Sequence, residues 1–146
     1  MEYKEIIDQL PYGPEFRFVD RLHRVTEDGV VGEFTFLEDM YFFKGHFKQR
    51  PVTPGVILTE CCAQIGLVCL GLYVLNESDT SIIKLGLSSS EMEFLLPVFP
   101  NETVMVTSKK IYFRFQKLKC EVRMHNSKGE LVCKGVLAGM IKLDKA

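Results

Sequence analysis
Hydrophobic positions change period several times along this chain, and each change marks an element. Tyr3, Ile6, Ile7 and Leu10 fall at the three- and four-residue spacing of one helical face, which predicts a short helix over residues 2–10. Pro11 to Pro14 breaks it. Phe16 to Val25 and Val30 to Leu37 read as strands around the turn signal Glu27-Asp28-Gly29. Phe34 and Phe36 alternate with Glu33 and Thr35, so that strand has one buried face. Tyr41 to Thr53 shows no period and is rich in Gly, Pro and aromatics. From there to about Leu75 the residues are apolar nearly all round, the pattern of a helix buried on most sides. Thr53 is placed to cap it, with Pro54 at its first position.

Asn76 to Thr80 is polar and predicts a turn; everything after it reads as strand. Ile82 to Leu87 and Met92 to Val98 come first, then the turn Pro100-Asn101 and a strand over Val104 to Phe115. The apolar parity of that strand switches near Lys109-Lys110, which predicts a bulge. Leu118, Cys120, Val122 and Met124 alternate strictly with Lys119, Glu121, Arg123 and His125. The turn Asn126 to Gly129 leads to a last strand, Glu130 to Leu143. A single helix this apolar needs a sheet curled around it. The expected class is therefore α+β, a hotdog fold in which an antiparallel sheet wraps one long central helix.

The remaining totals narrow the picture. At 146 residues one domain over 1–146 is expected, able to bury roughly 70% of its unfolded surface without a disulfide or metal staple. A formal charge of −1 gives no bulk signal for nucleic acid. The five cysteines have no CxxC spacing, and three lie in the apolar stretch, as expected of reduced core thiols in a cytoplasmic protein. A nucleophilic Cys62 is the alternative, but no basic residue stands nearby in sequence to lower its pKa. Val56 to Leu75 is long enough to span a bilayer, yet Glu60 and Gln64 sit near its start. A carboxylate in a span is expensive, so a core helix is expected and no membrane. The N-terminus, acidic and without a long apolar core, does not read as a signal peptide. His23 and His125 fall on strands; His125 takes the polar face, and for His23 the side is undetermined. No cluster of metal ligands is evident.

Candidate chemistry concentrates between Gly45 and Gln64. Glu60 is an ionisable group in a helix otherwise almost free of charge, and burial would raise its pKa and keep it available as an acid. His46 is of the one side-chain type that ordinarily exchanges its proton near neutral pH, and it stands on an irregular loop. The helix start at Gly55-Val56 offers unpaired N–H groups that can hold an oxyanion. Gln64, four residues after Glu60, shares its helix face. A lone histidine before a helix, or a lone buried glutamate, is more often structural. The two together, flanking a Pro-Gly helix start, carry more weight, and the residues alone leave catalysis and structure both open.

The stretch Phe43-Lys44-Gly45-His46-Phe47, then Arg50-Pro51-Val52, then Pro54 to Glu60 with Ala63-Gln64, resembles the 3-hydroxyacyl-(acyl-carrier-protein) dehydratases of bacterial type II fatty-acid synthesis. Phe18 to Arg21 and the Phe and Pro positions of Phe94 to Pro100 match as well, and the similarity runs from about Leu10 to Ile141. The resemblance implies a hotdog fold and a homodimer, often three dimers in a ring. It implies catalysis by His46 and Glu60 contributed by different protomers, and no metal or organic cofactor. The substrate it implies is an acyl chain on the phosphopantetheine arm of acyl carrier protein. Gly55, Val56, Phe47 and Gln64 are the expected substrate-binding residues. The related dehydratase–isomerase group carries Asp at the acid, so Glu60 favours the plain dehydratase. Three positions depart from the family: Lys48-Gln49 stands for Pro-Gly, Thr53 for a common Met, and Glu91-Met92-Glu93 for a basic Lys-x-Arg. A fatty-acid pathway or a related polyketide or aryl-polyene-like one is thereby implied. A hotdog thioester hydrolase and a non-catalytic subunit supporting a partner dehydratase are the other classes.

Overall fold
The computed structural model describes residues 2–75 and 82–144. The turn expected over Asn76 to Thr80 lies outside the described residues. Six strands form one antiparallel sheet in the order β1-β2-β4-β5-β6-β3. They are β1 (Arg21–Thr26), β2 (Gly29–Phe36), β3 (Ile82–Phe94), β4 (Glu102–Arg114), β5 (Lys117–His125) and β6 (Leu131–Asp144). A short helix α1 (Tyr3–Asp8) precedes them. The central helix is continuous over Gly55–Leu75. It is built from α2 (Gly55–Ala63), a π-helical turn (Gln64–Val68) and α3 (Cys69–Leu75). By length and composition this helix is apolar enough to cross a membrane, but most of it is buried inside the protein. The hotdog arrangement expected from the pattern is thus present.

Period-two alternation explains which face of the sheet meets the helix. Phe34 and Phe36 on β2 are buried, as are Leu118, Cys120, Val122 and Met124 on β5. Facing them, Cys61, Cys62, Ile65, Leu67, Cys69 and Leu70 of the helix are buried too. Helix and sheet approach closely at Gly66, inside the π-helical turn. A Cβ there would stand 2.9 Å from both Ser108 Cβ and Val122 Cγ1, so only glycine fits without displacing the sheet. All five cysteines are free and buried. A hydrogen bond to Cys133, and then burial, push the Cys62 thiol well up, which argues against it as a nucleophile.

Three boundaries and the burial of one histidine differ from the sequence expectation. The first strand begins at Arg21, because Pro14–Phe16 forms a 3₁₀ turn and Phe18 and Val19 pack as non-strand core. Thr53 makes no side-chain cap; Pro54 holds the N-cap position and Gly55 opens the helix. The two strands expected around residues 82–98 are one, β3, which runs through Ser88-Ser89-Ser90-Glu91 and pairs with β6. Its polar run is tolerated because β3 is an edge strand whose side chains there are exposed. His125 is half-buried rather than exposed. His23 lies near the surface and its Nε2 meets Glu33 Oε1 at 2.5 Å. The bulge expected near Lys109-Lys110 is found between Lys110 and Tyr112.

Candidate active site
Two buried aromatics anchor the loop that carries His46. Phe42 and Phe43 sit in a 3₁₀ turn over Tyr41–Lys44 and pack into the core. His46 N donates to Phe42 O at 3.1 Å, and Val52 N donates to His46 O at 2.7 Å. The imidazole is held as well: Nδ1 lies 3.0 Å from Val52 O. A carbonyl can only accept, so Nδ1 carries the proton and Nε2 is left as the basic nitrogen. Phe47 stacks on the ring, centroids 4.1 Å apart. Thr53 N donates to Val98 O, tying the end of the loop to the segment after β3. The first helical bond is Ile57 N to Pro54 O, so the Gly55 and Val56 N–H groups come before the ladder begins.

Glu60 lies one and a half turns further on and is half-buried. Burial raises its pKa, opposed by a hydrogen bond from Gln64 Nε2 to Glu60 Oε2 at 2.9 Å. The direction of the Gln64 amide is fixed by its other bonds. Phe18 N donates to Gln64 Oε1 at 2.7 Å, and Gln64 Nε2 also donates to Phe16 O at 2.9 Å. The oxygen is engaged by an N–H donor, so the amide nitrogen must face the carboxyl group. Gln64 is fully buried, and its amide nitrogen holds the Glu60 carboxyl group.

Three hollows surround these groups. One, of about 320 Å³, is lined by His46, Val52, Thr53, Gly55, Leu58 and Phe94, among others. A second, wide and open at about 610 Å³, is lined by Gly55, Val56, Thr59, Glu60, Met92 and Phe94, among others. The third is a small cavity of about 60 Å³ on the inner side of Glu60, walled by Tyr12, Leu67, Leu85, Leu118 and Gly139 among others. Within one chain His46 and Glu60 therefore face different hollows, and Gly55 and Phe94 line both. Val56 and Phe47 are exposed. Phe47 lines none of the three.

Sequence reasoning missed Tyr12, which sits in the stretch read only as a helix breaker. Burial and the nearby Glu60 charge hold its phenol neutral, well above the usual range. It missed the orphaned hydroxyl of Thr53 too, which has no hydrogen-bond partner. No cluster of three or more potential metal ligands occurs among the described residues.

Comparison with known proteins bears on family and fold. A family model described as a FabA-like domain matches residues 10–138. The chain is 31% identical over 147 residues to the 3-hydroxyacyl-(acyl-carrier-protein) dehydratase FabZ of Ehrlichia chaffeensis, covering 98% of this chain and 96% of that protein. Among solved structures it is similar to a chain of the dehydratase heterocomplex ApeI:P from Xenorhabdus doucetiae. The TM-score there is 0.75, with 14% identity and coverage of 93% and 90%. It is also similar to a hypothetical thioesterase from Streptococcus pneumoniae, with a TM-score of 0.61, 13% identity and coverage of 86% and 87%. At these identities the two structures speak to fold alone.

Proposed function
The chain belongs to the FabA-like family and is a 3-hydroxyacyl thioester dehydratase; from that premise we propose that His46 and Glu60 remove water across a site shared by two copies. The substrate is a 3-hydroxyacyl chain on the phosphopantetheine arm of acyl carrier protein, in a fatty-acid or related polyketide or aryl-polyene-like cycle in the cytoplasm.

The reaction follows from the groups in place. The thioester oxygen accepts a hydrogen bond from Gly55 N–H at the positive end of the helix, which stabilises enolate character at the α carbon. His46 Nε2 takes the α proton. The C3–O bond breaks as the Glu60 carboxyl group gives its proton to the leaving oxygen, releasing water and the trans-2-enoyl thioester. Proton return from His46 to Glu60 through solvent closes the cycle, with no net change in either residue. Gln64 keeps the carboxyl group aimed forward, and the apolar cavity at Tyr12, Leu67 and Leu118 receives part of the acyl tail.

The observation that carries the shared site is the separation of the two hollows. A second copy laid along the exposed edge strand β3 would cover Leu87 and Phe94, and bring the His46 of one chain to the Glu60 of the other. Three homodimers of this kind then stack into a ring. The test is direct. Purified chain is incubated with 3-hydroxyacyl carriers of several lengths, and products are weighed. Loss of one water in wild type, reduced by about 100-fold or more in His46→Ala and Glu60→Gln, supports the assignment. Near-normal dehydration by either folded variant contradicts it, and release of free carrier thiol would identify a hydrolase instead.

A further inference from the structure
Thr53 Oγ1 is the one buried side-chain nitrogen or oxygen without a hydrogen-bond partner among the described residues. The residue is only 4% exposed. Its backbone N–H is already engaged with Val98 O, so the hydroxyl alone is unmet. A hydroxyl removed from water and given nothing in return is unfavourable, and such gaps in native proteins call for a specific explanation. Its position supplies one. Thr53 stands between Val52, whose carbonyl orients His46, and Pro54, which precedes the first free amide of the helix. It lines the same hollow as His46 and Gly55. A developing oxyanion is best held by more than one fixed donor, and the helix start offers Gly55 N–H as the first.

We propose that the Thr53 hydroxyl is a second donor to the thioester oxygen, and that substrate supplies the partner this hydroxyl lacks. The inference rests on the reading that the thioester oxygen docks at Gly55 N–H. Methionine, common at this position in the family, has no proton to donate, so the contact would be peculiar to chains with a hydroxyl here.

Thr53→Val keeps the shape and removes the hydroxyl; Thr53→Ser restores the hydroxyl. Three quantities are measured on the full chain: melting temperature, kcat and KM on a 3-hydroxyacyl pantetheine thioester, and the carbonyl stretch of a bound saturated acyl pantetheine thioester labelled at the carbonyl carbon. The proposal expects Thr53→Val to melt at or above the wild-type temperature, since an unpaired hydroxyl has gone. It expects kcat to fall by about 100-fold, the scale of one lost oxyanion donor. It expects the low-frequency shift of the bound carbonyl to shrink in Thr53→Val and return in Thr53→Ser. Wild-type kcat with an undiminished carbonyl shift in Thr53→Val would overturn it. So would a clear loss of stability in Thr53→Val, which would show that the hydroxyl serves the fold. If wild type itself shows no carbonyl shift, the docking of the thioester at Gly55 fails first, and this inference with it.

Discussion

At the scale of single residues, the account turns on what burial does to Glu60. Its pKa is raised, chiefly by desolvation, above the unfolded value. Such a group favours folding fully below its unfolded pKa, and that contribution is lost as the pH rises through the folded pKa. Above that point wild type carries a half-buried carboxylate, which Glu60→Gln replaces with a neutral amide that still accepts from Gln64. The variant is therefore expected to melt above wild type at pH 8, with the gap closing toward pH 4. Thermal unfolding of both proteins across that range checks this, and a gap independent of pH would contradict it. The raised pKa of this residue was legible in the sequence, because one carboxylate in an apolar helix stands out. So was its partner, because residues four apart share a helix face. The orphaned hydroxyl of Thr53 was not legible: whether a buried group is satisfied depends on neighbours from elsewhere in the chain, here Val98 and the loop after β3.

Among elements, the central helix and the segment before β1 depend on each other through Gln64. Its side chain satisfies Phe18 N–H and Phe16 O while holding Glu60. Gln64→Leu leaves those backbone groups unpaired and is expected to destabilise the fold by about 2–4 kcal/mol, read from denaturant unfolding. Turnover should drop as well, since the carboxyl group loses its support. A fully stable Gln64→Leu would show that the clamp is dispensable. Gly66→Ala tests the packing next to it, where an added Cβ would stand 2.9 Å from Ser108 and Val122 of the sheet. A cost of about 1–3 kcal/mol is expected from the same unfolding measurement. Periodicity exposed β2, β5 and the helix because each has a continuous apolar face. It failed on Phe18 and Val19, which are core without being regular structure, and on β3. There an edge strand carries Ser88 to Glu91 outward, and hydrogen bonds to β6 rather than side-chain burial keep it continuous.

For the whole molecule, charge and assembly decide how substrate arrives and where it reacts. Glu91 and Glu93 depart from the basic family pattern, and the register explains how they are accommodated. Glu93 stands opposite Lys134, which in turn stands opposite Arg123, so the acidic pair belongs to a mixed-charge sheet face. The cations nearest His46 in sequence are the exposed Lys44, Lys48 and Arg50. Lys48→Glu is expected to slow turnover of carrier-bound substrate more than that of a short uncharged thioester, and more so at low salt, where repulsion is less screened. Equal losses on both substrates would remove Lys48 from the docking surface. The central claim is that one reaction site takes His46 from one copy and Glu60 from another, and subunit mixing tests it most directly. His46→Ala and Glu60→Gln chains, each inactive alone, are mixed and allowed to exchange, with exchange proven by mass tags. Random pairing makes half the dimers mixed, each with one of its two sites intact, so about a quarter of wild-type dehydration should return. No recovery despite proven exchange would contradict the account and place both residues within a single chain's site.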